Sequence, residues 1–445
     1  MVLVAKNRQS GKRSIRKLTK PIVHLCADLT LILMIVPDFG VLIQFLCFKL
    51  RYDMETGTKR KILQSFEDFE AWARQKATER PEQHREGQFI YNLLYMSFPE
   101  QVELLGYCGI DCFHNDSMIL PFLMELSKMN SLISLISNRV VEVFSDYGLK
   151  ATILKVNISY QVYSFELEIE KRTSRRKINE VAYSLNERPL KWKKNIRVDF
   201  SASNPTLEVG VPPLPYQIHT RNIFHEPDFN SQLPIILGIK TIDGKALQFD
   251  LSPSGNILVG GATKQGKSTC IKNMINCLER CESKPDIILF DPKKYEFDNY
   301  KDKYKVCYGA AQLGRLAVST VITRMNQKDT CKFPPLVIII DEYTDLFQDN
   351  ICSIKEMIRL SRITQIAQWG PMVNVHLIIS TNRMERIFFP PELTDNIKTR
   401  ISFRTISVLD SKQIIGAPGA ESLLGCGDGL YACSGQLTRF QGTIG

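Results

Sequence analysis

Apolar and polar positions follow two different rhythms in the first half of this chain. From about 60 to 137, apolar residues recur at spacings of three and four, as in MILPFLMELSKMNSLISLISNRVVEVF, and this spacing predicts helices. Near Tyr147 the pattern becomes an alternation of apolar and polar positions, LKATILKVNISYQVYSFELEIEK, which predicts paired, half-buried strands. A short helix and two more strand candidates, NIRVDFSAS and TLEVGVP, follow. We therefore predict a helical adaptor region over 51–137 and a small α+β domain over 138–235.

From 236 onward, continuous apolar runs alternate with helical stretches. The runs are NILVGG (256–261), DIILFD (286–291), PLVIIIDE (335–342) and VHLIIST (375–381), with RISFRTI (400–406) as a fifth candidate. Runs rich in β-branched residues without alternation are typical of strands that are buried on both faces of a parallel sheet. Each of the first four runs ends in polar residues or glycine, and ligands bind at the carboxyl ends of such strands. We predict an α/β domain over 236–445 with its site at that edge.

The N-terminal 50 residues combine a basic arm (1–20) with an apolar segment (21–50). The window 29–48 has the length that a membrane-spanning helix needs, about 20 residues. However, Pro37 and Asp38 lie at its middle, where an aspartate is costly in a bilayer. The pattern favours membrane attachment as one kinked span or re-entrant segment, and a soluble helical arm is the alternative.

Composition adds a preference for a polyanionic partner. The 445 residues include 57 Lys and Arg against 47 Asp and Glu, for a formal net charge of +10. This excess suits nucleic acid or an anionic membrane surface, although plain solubility would also account for it. The 12 cysteines show no complete zinc spacing, so we predict reduced thiols and no cysteine metal site.

The first run leads directly into a phosphate-binding sequence, GATKQGKS, which fits the pattern G-x-x-x-x-G-K-[ST] in full. It follows a predicted strand and precedes a predicted helix, the context in which backbone amides and the helix N-terminus hold phosphate. Lys267 is expected to reach the terminal phosphates, and Ser268 to bind Mg²⁺. The candidate nucleotide-binding residues are Gly261, Ala262, Thr263, Lys264, Gln265, Gly266, Lys267, Ser268 and Thr269.

The third run supplies an acidic pair at the end of a buried strand. Asp341 is expected to bind Mg²⁺ directly or through water, and Glu342 to polarise the attacking water. The additional strand DIILFD between the loop and this pair is typical of ATP-driven motors of the RecA/ASCE-like class of P-loop NTPases. The predicted fold class is thus an α/β P-loop NTPase domain preceded by a small α+β domain and a helical N-terminal region.

Two further candidates follow the acidic pair. Thr381-Asn382-Arg383 comes after the next strand, where Asn382 could hold the water or the terminal phosphate by hydrogen bonds. Arg400 could enter a neighbouring subunit's site and stabilise transition-state charge. A surface turn and an ordinary edge-strand arginine, respectively, are the alternative interpretations.

Several stretches together resemble the FtsK/SpoIIIE family of DNA translocases. These are the phosphate loop, LFDPKKYEF, VIIIDEYTDL, HLIISTNR, and the segment with DSKQII, GAESLLG and GDGLY. The region over 138–235 also resembles the family's β subdomain, so the likeness covers about 140–445. It implies α and β subdomains that form a ring and pump double-stranded DNA by ATP hydrolysis. By position it also relates Asp291, Pro292 and Lys293 to the family's D-P-K, and Asp428 to its G-D segment.

The chain also departs from the family pattern. Asn382 stands where the family often has glutamine, and QWGPMVNVH lacks the basic residues often found before the last core strand. The expected C-terminal winged-helix domain does not follow the motor. We therefore expect an ATP- and Mg²⁺-dependent translocase that moves double-stranded DNA largely independently of its sequence. The resemblance implies a homo-oligomer, a hexamer, and we expect it in the bacterial cytoplasm, attached to the cell membrane. A set of lysines is a candidate for DNA or phosphate contact, with a solvated face as the alternative: Lys293, Lys294, Lys301, Lys303 and Lys305.

The expected cellular role is conjugative or mobile-element DNA transfer together with other transfer-machinery proteins. Chromosome segregation is the alternative within the same class. A nucleotide-switched adaptor and a protein-secretion ATPase are the alternatives from other classes.

Overall fold

The computed structural model describes residues 66–170, 173–187, 195–200, 202–215, 217–223, 231–308, 319–327, 333–347 and 354–445. The predicted basic arm (1–20) and membrane segment (21–50) lie outside these residues. The chain divides into two compact units, Met1–Trp72 and Ala73–Gly445. The description below concerns the second unit, apart from the first turns of one helix.

Helices and strands follow the predicted order along the described residues. The helices are α1 Phe66–Ala77, α2 Glu86–Tyr95, α3 Pro99–Tyr107, α4 Ile119–Asp146, α5 Arg175–Ser184, α6 Thr220–Ile223, α7 Leu251–Ser254, α8 Lys267–Arg280, α9 Ser319–Met325, α10 Ile354–Trp369, α11 Pro391–Thr394 and α12 Val408–Ile415. The strands are β1 Ala151–Ile158, β2 Val162–Ile169, β3 Ile196–Asp199, β4 Thr206–Gly210, β5 Pro234–Lys240, β6 Ala246–Asp250, β7 Ile257–Gly260, β8 Asp286–Phe290, β9 Lys305–Cys307, β10 Leu336–Ile340, β11 Val375–Thr381, β12 Thr399–Phe403, β13 Asp428–Cys433 and β14 Gln436–Gly442.

The longest helix, α4, joins the helical region to the first sheet. Its apolar stripe, which includes Phe122, Leu126, Val140 and Phe144, is buried, and the helix contacts α3, α5 and β1. It continues without interruption across position 137, where we placed a domain boundary, because its three-and-four spacing runs on to Asp146. Within the described residues, the stretch Asp116–Asp146 is also long and apolar enough to cross a membrane, by length and composition alone.

The α+β region forms a four-stranded antiparallel sheet in the order β1-β2-β4-β3. Helix α5 begins at an N-cap, where the Ser174 hydroxyl accepts a hydrogen bond from the backbone N–H of Lys177. This helix contacts β3 and α4. Phe165, Leu167 and Leu207 are fully buried in the region.

The second sheet has ten strands in the order β6-β5-β14-β13-β12-β7-β11-β10-β8-β9. The five predicted runs are strands β7, β8, β10, β11 and β12, and they pair in parallel. Strand β9 extends this parallel part at one edge.

Strands β13, β14, β5 and β6 add an antiparallel part to this sheet, beside the predicted parallel strands. A tight turn at Ser434 and Gly435 joins β13 to β14, and both residues have positive φ, +49° and +81°. Such turns favour two-residue hairpins. Strands β6, β13 and β14 contain half-exposed or exposed residues and lack the continuous apolar runs of the parallel part, so the hydrophobic pattern did not reveal them. Strand β5 is such a run, but it crosses the domain boundary that we placed at 235.

The parallel strands determine where chemistry can occur. All five residues of β10 are buried, as are all seven of β11, so each strand forms part of a core that water does not enter. Because β7, β10 and β11 are parallel, the residues that follow them lie at the same edge of the sheet. These residues are the phosphate loop, the acidic pair and Asn382.

Candidate nucleotide site

The loop from Gly261 to Gly266 connects β7 to α8 with a backbone that L-residues seldom adopt. Gly266 has φ +121° and directly precedes the first helical residue, Lys267. A β-carbon at Gly266 would lie 3.3 Å from the Cα of Gly427 and from the ring of Phe403. The loop therefore passes close to its neighbours, and the N-terminus of α8 lies where an anion can bind.

Lys267 is 7% exposed, and its ammonium group lies inside the loop. Its Nζ donates to the carbonyls of Gly261 (2.8 Å) and Ala262 (3.0 Å) and to Oδ1 of Asn382 (2.5 Å). Burial lowers the pKa of Lys267, while Glu342 and Asp341 oppose that shift. The ammonium thus has no direct carboxylate partner and is available to an anionic ligand.

Asp341 follows β10 and is 7% exposed. The Ser380 hydroxyl donates to its Oδ1 at 2.6 Å and also accepts a hydrogen bond from the backbone N–H of Glu342 at 2.8 Å. Burial raises the pKa of Asp341, and Ser380 opposes that shift. Ser380 therefore fixes both members of the acidic pair. Sequence reasoning missed it, although a serine inside the buried run HLIIST was a usable signal.

Glu342 has a left-handed backbone, with φ +46° and ψ 67°, and is 6% exposed. Such a conformation in a residue other than glycine stores strain and is common at functional sites. Burial raises the pKa of its carboxyl group, while the Asn382 backbone N–H, Lys267 and Lys293 oppose that shift. A buried carboxylate with a raised pKa is suited to accept a proton from water.

Asn382 contacts both Glu342 and Lys267. Its backbone N–H donates to Oε1 of Glu342 at 2.8 Å, and its side-chain amide donates to Oε2. Thr381 supports the turn by donating from its hydroxyl to the carbonyl of Arg383 at 2.6 Å, while the Arg383 side chain is exposed. The structure thus brings together Lys267, Asp341, Glu342 and Asn382, as the sequence predicted.

A cavity of about 340 Å³ adjoins the loop on the side away from the acidic pair's strand. It is lined by Lys264 and residues 266–270 and by groups that the sequence did not indicate, among them Gln217, Phe403 and 442–444. The Thr220 backbone N–H donates to the carbonyl of Ile444 at 2.9 Å, and the Thr220 and Thr443 hydroxyl oxygens lie 2.8 Å apart. These bonds hold the C-terminal segment in place as one wall of the cavity.

The residues present fit a magnesium ion bound together with phosphate. Mg²⁺ is usually held by one or two protein oxygens and by substrate phosphates. Ser268 lines the cavity at the start of α8, and Asp341 has one oxygen held by Ser380, while its Oδ2 makes no hydrogen bond within the described structure. A cation would also relieve the penalty of burying that carboxylate.

The comparison with known families agrees with this geometry. Residues 221–307, which contain the phosphate loop and β8, match the FtsK/SpoIIIE family. This part of the chain is therefore similar to the FtsK/SpoIIIE family. Its α/β sheet and phosphate loop are those of a P-loop NTPase, as predicted.

Proteins with a similar sequence include bacterial DNA translocases. The chain is 30% identical over 241 residues to the DNA translocase FtsK of Treponema pallidum, which covers 47% of the chain and 29% of the relative. It is 27% identical over 366 residues to the DNA translocase FtsK of Listeria monocytogenes, which covers 72% and 46%. The chain thus spans less than half of the length of these two relatives.

Solved structures with a similar fold include conjugation and secretion proteins. The pCW3 conjugation coupling protein TcpA, a monomer with ATPγS, has a TM-score of 0.48 at 16% identity, covering 69% of this chain and 94% of TcpA. The type VII secretion ATPase EccC of Thermomonospora curvata has a TM-score of 0.42 at 20% identity, covering 51% and 32%.

The fold does not bring Arg400 to the phosphate loop of the same chain. Arg400 lies at the start of β12, which is parallel to β7, so it is at the opposite edge of the sheet. Its guanidinium donates to the carbonyls of Ile397 (3.1 Å) and Thr394 (3.0 Å), and burial lowers its pKa. A role in a neighbouring subunit's site stays a prediction.

Other family positions have structural partners within the domain. Asp291 is 1% exposed and accepts from the backbone N–H of Phe297 at 3.1 Å. Lys293 lies 3.2 Å from Asp345 and 3.8 Å from Glu342, at the margin of the site. Asp428 is paired with Arg439, whose guanidinium lies 2.6 Å from its carboxylate.

Three of the remaining lysines of the candidate DNA-contact set also have internal contacts. Lys301 lies 2.6 Å from Asp298, Lys303 lies 2.9 Å from Glu279, and Lys294 lies over the ring of Tyr308. Exposed pairs of this kind are weak and readily exchanged. Phosphate contact by these lysines stays a prediction.

Proposed function

We propose that this protein hydrolyses ATP, with Mg²⁺, and uses the energy to move double-stranded DNA without reading its sequence. The observation that carries the proposal is the convergence of Lys267, Asp341, Glu342 and Asn382 at one edge of the parallel strands. The match to the FtsK/SpoIIIE family and the similarity to bacterial DNA translocases support DNA as the partner.

Each residue has a distinct part in this reaction. Lys267 and the amides of the phosphate loop would hold the phosphates, and the 340 Å³ cavity would take the nucleoside. Ser268 and Asp341 would hold Mg²⁺, which neutralises phosphate charge when bound. Glu342 would accept a hydrogen bond from the attacking water, and its buried position keeps that water oriented. Asn382 contacts both Lys267 and Glu342.

The net charge of the chain is consistent with a DNA partner. An excess of +10 favours contact with phosphate backbones, which supply affinity without sequence information. Lys301, Lys303 and Lys305 are candidate contacts. Replacing one of these lysines with alanine should reduce the slope of log affinity for DNA against log salt concentration by about one.

The test is ATP hydrolysis by the full chain with and without linear duplex DNA, beside Glu342→Gln. We expect stimulation by duplexes of unrelated sequence and a loss of about 100-fold or more in the variant. Lys272→Ala, which changes an exposed lysine one turn further along α8, is the matched control. ATP binding with the same slow turnover with and without DNA would contradict the proposal. It would favour a nucleotide-switched adaptor or a protein-secretion ATPase.

We propose further that the protein acts as a homo-oligomeric ring, a hexamer by resemblance to the family. Arg400 would then lie near the neighbouring subunit's nucleotide. Light scattering with ATPγS and duplex DNA measures the assembly. When unaltered protein is mixed with Arg400→Ala, the rate of ATP hydrolysis should fall more steeply than the fraction of unaltered subunits. A rate that falls in proportion to that fraction would contradict a role for Arg400 between subunits.

The cellular setting proposed from the sequence is conjugative or mobile-element DNA transfer at the cell membrane, with attachment through residues 21–50 and contact with other transfer proteins. Chromosome segregation is the alternative. Deleting the gene should abolish transfer and leave chromosome partitioning intact.

Membrane attachment through residues 21–50 is tested by deleting them and sedimenting the membrane fraction. Loss of the protein from that fraction would support attachment, and unchanged sedimentation with the membranes would contradict it.

A further inference from the structure

The side chain of Asn382 connects the phosphate loop to the acidic pair. On one side, its Oδ1 accepts a hydrogen bond from Nζ of Lys267 at 2.5 Å. On the other side, its backbone N–H and its side-chain amide donate to the two oxygens of Glu342. One residue therefore contacts the group expected to bind phosphate and the group expected to activate water.

Both of these groups are bonded to other atoms of the protein. Lys267 Nζ makes three hydrogen bonds, of which two go to carbonyls of its own loop, Gly261 and Ala262. Both oxygens of Glu342 accept from Asn382. A carboxylate in this arrangement has less capacity to accept a hydrogen bond from water.

The position of Glu342 is fixed from its backbone as well. Its left-handed conformation is held by the hydrogen bond from its N–H to the Ser380 hydroxyl at 2.8 Å. The carboxylate therefore has little freedom to leave Asn382 by moving its own main chain. The contacts that hold the carboxylate itself are those from Asn382.

We propose that Asn382 is a positioning residue that restrains both Lys267 and Glu342 until nucleotide binds. This inference rests on the proposed ATP hydrolysis. Phosphate oxygens draw Nζ of Lys267 away from Asn382, so that Oδ1 loses its donor and the side-chain amide is free to rotate. The amide then donates to the terminal phosphate, and Oε2 of Glu342 becomes available to water.

The choice of asparagine is consistent with this geometry. Its short side chain allows the backbone N–H and the side-chain N–H to reach the two oxygens of one carboxylate together. The FtsK/SpoIIIE family often has glutamine at this position. Because glutamine is one methylene longer, we expect its side-chain amide and backbone N–H not to reach the two oxygens of Glu342 in the same way.

The test separates nucleotide affinity from turnover in two variants of Asn382. In Asn382→Ala, Lys267 loses one of its three acceptors, so ADP and ATPγS should bind about threefold or more tightly. Turnover at saturating ATP should nevertheless fall at least about tenfold, because nothing positions the terminal phosphate against Glu342. In Asn382→Asp, the added charge holds Lys267 more firmly and repels Glu342. Nucleotides should then bind more weakly, and turnover should also fall.

Opposite changes in affinity for these two variants are the diagnostic result, since a residue with a purely structural role would weaken binding in both. Asn326→Ala, at an exposed site in α9's C-terminal turn, is the control and should change neither quantity. Melting temperatures measured beside the affinities identify any variant that fails to fold.

Weaker or unchanged binding by folded Asn382→Ala would overturn the restraint on Lys267. Turnover within twofold of the unaltered protein would overturn the link to Glu342. Failure of the proposed function itself would appear differently, as absent turnover in the unaltered protein, and the affinity measurements would still test the restraint on Lys267.

Discussion

Two buried clusters of charged residues in this protein are built in opposite ways. At the nucleotide site, the hydrogen bonds of Lys267 within the described residues go to neutral oxygens, and Asp341 and Glu342 accept hydrogen bonds from neutral donors. The cation nearest to Glu342, Lys293, is half-exposed and lies 3.8 Å away. Where the four-stranded sheet meets β14, Arg439 is instead bonded to carboxylates. Its guanidinium lies 2.6 Å from Asp428 and donates to Glu208 at 2.5 Å.

The pKa values follow from this difference. Burial lowers the pKa of Lys267, and its distant carboxylates do not reverse the shift. Burial would also lower the pKa of Arg439, but Asp428 and Glu208 raise it above its ordinary value. The second cluster is complete without a ligand and joins the two sheets. The first cluster, at the nucleotide site, leaves its buried charges without directly bonded partners of opposite charge. This arrangement lowers the stability of the fold, and we attribute it to the need to bind an anion and a cation.

The largest predicted effect is on the complete cluster. Arg439→Ala leaves the carboxylates of Asp428 and Glu208 buried without a cation, so the free energy of unfolding should fall by roughly 3–5 kcal/mol. Urea unfolding measures this change. Arg197→Ala, which removes a partly exposed arginine 3.7 Å from the same Glu208, is the control and should cost less than about 1 kcal/mol. Equal losses in the two variants would contradict the distinction.

The second prediction concerns Lys267→Ala at the incomplete cluster. ATP hydrolysis should fall by about 100-fold or more, because the cation that holds the phosphates is removed. The melting temperature should not fall, since the lysine is buried without a directly bonded carboxylate. Hydrolysis assays and thermal unfolding of one preparation measure both quantities. A large loss of stability would show that Lys267 is structural, as Arg439 is.

The smallest predicted effect depends on pH. Burial raises the pKa of Glu342, so the ionised carboxyl group destabilises the folded protein above that pKa, and the penalty disappears as the pH falls through it. Glu342→Gln should therefore stabilise the protein at pH 8, by about 0.5–2 kcal/mol as at other sites built for function. The gain should shrink at pH 5. A gain that is equal at both pH values would mean that ionisation of Glu342 is not its cause.

The sequence predicted most of the nucleotide site but not the cluster of Arg439, Asp428 and Glu208 that joins the two sheets. Lys267, Asp341 and Glu342 follow continuous apolar runs and belong to local motifs, so their elements and their common edge could be inferred. The pair formed by Arg439 and Glu208 joins residues 231 positions apart, and no local pattern connects them. Arg439 looks like any charged residue on an alternating strand.

The same limit applies within the fold. The parallel strands were predicted because burial on both faces leaves a continuous run such as LVIII in β10. Strands β13 and β14 have half-exposed or exposed residues toward their turn, and their pattern resembles a loop. The hydrogen bond between Asn382 and Lys267 likewise depends on the register of β11 beside β7, which spacing along the chain does not specify.

Movement along DNA is the central claim, and displacement of a third strand measures it most directly. The full chain is incubated with a linear duplex that carries a short triplex at one end, and release of the third strand is followed after ATP is added. We predict release that requires ATP and Mg²⁺, occurs on duplexes of unrelated sequence, and is lost in Glu342→Gln. ATP hydrolysis stimulated by duplex DNA without any release of the third strand would contradict translocation.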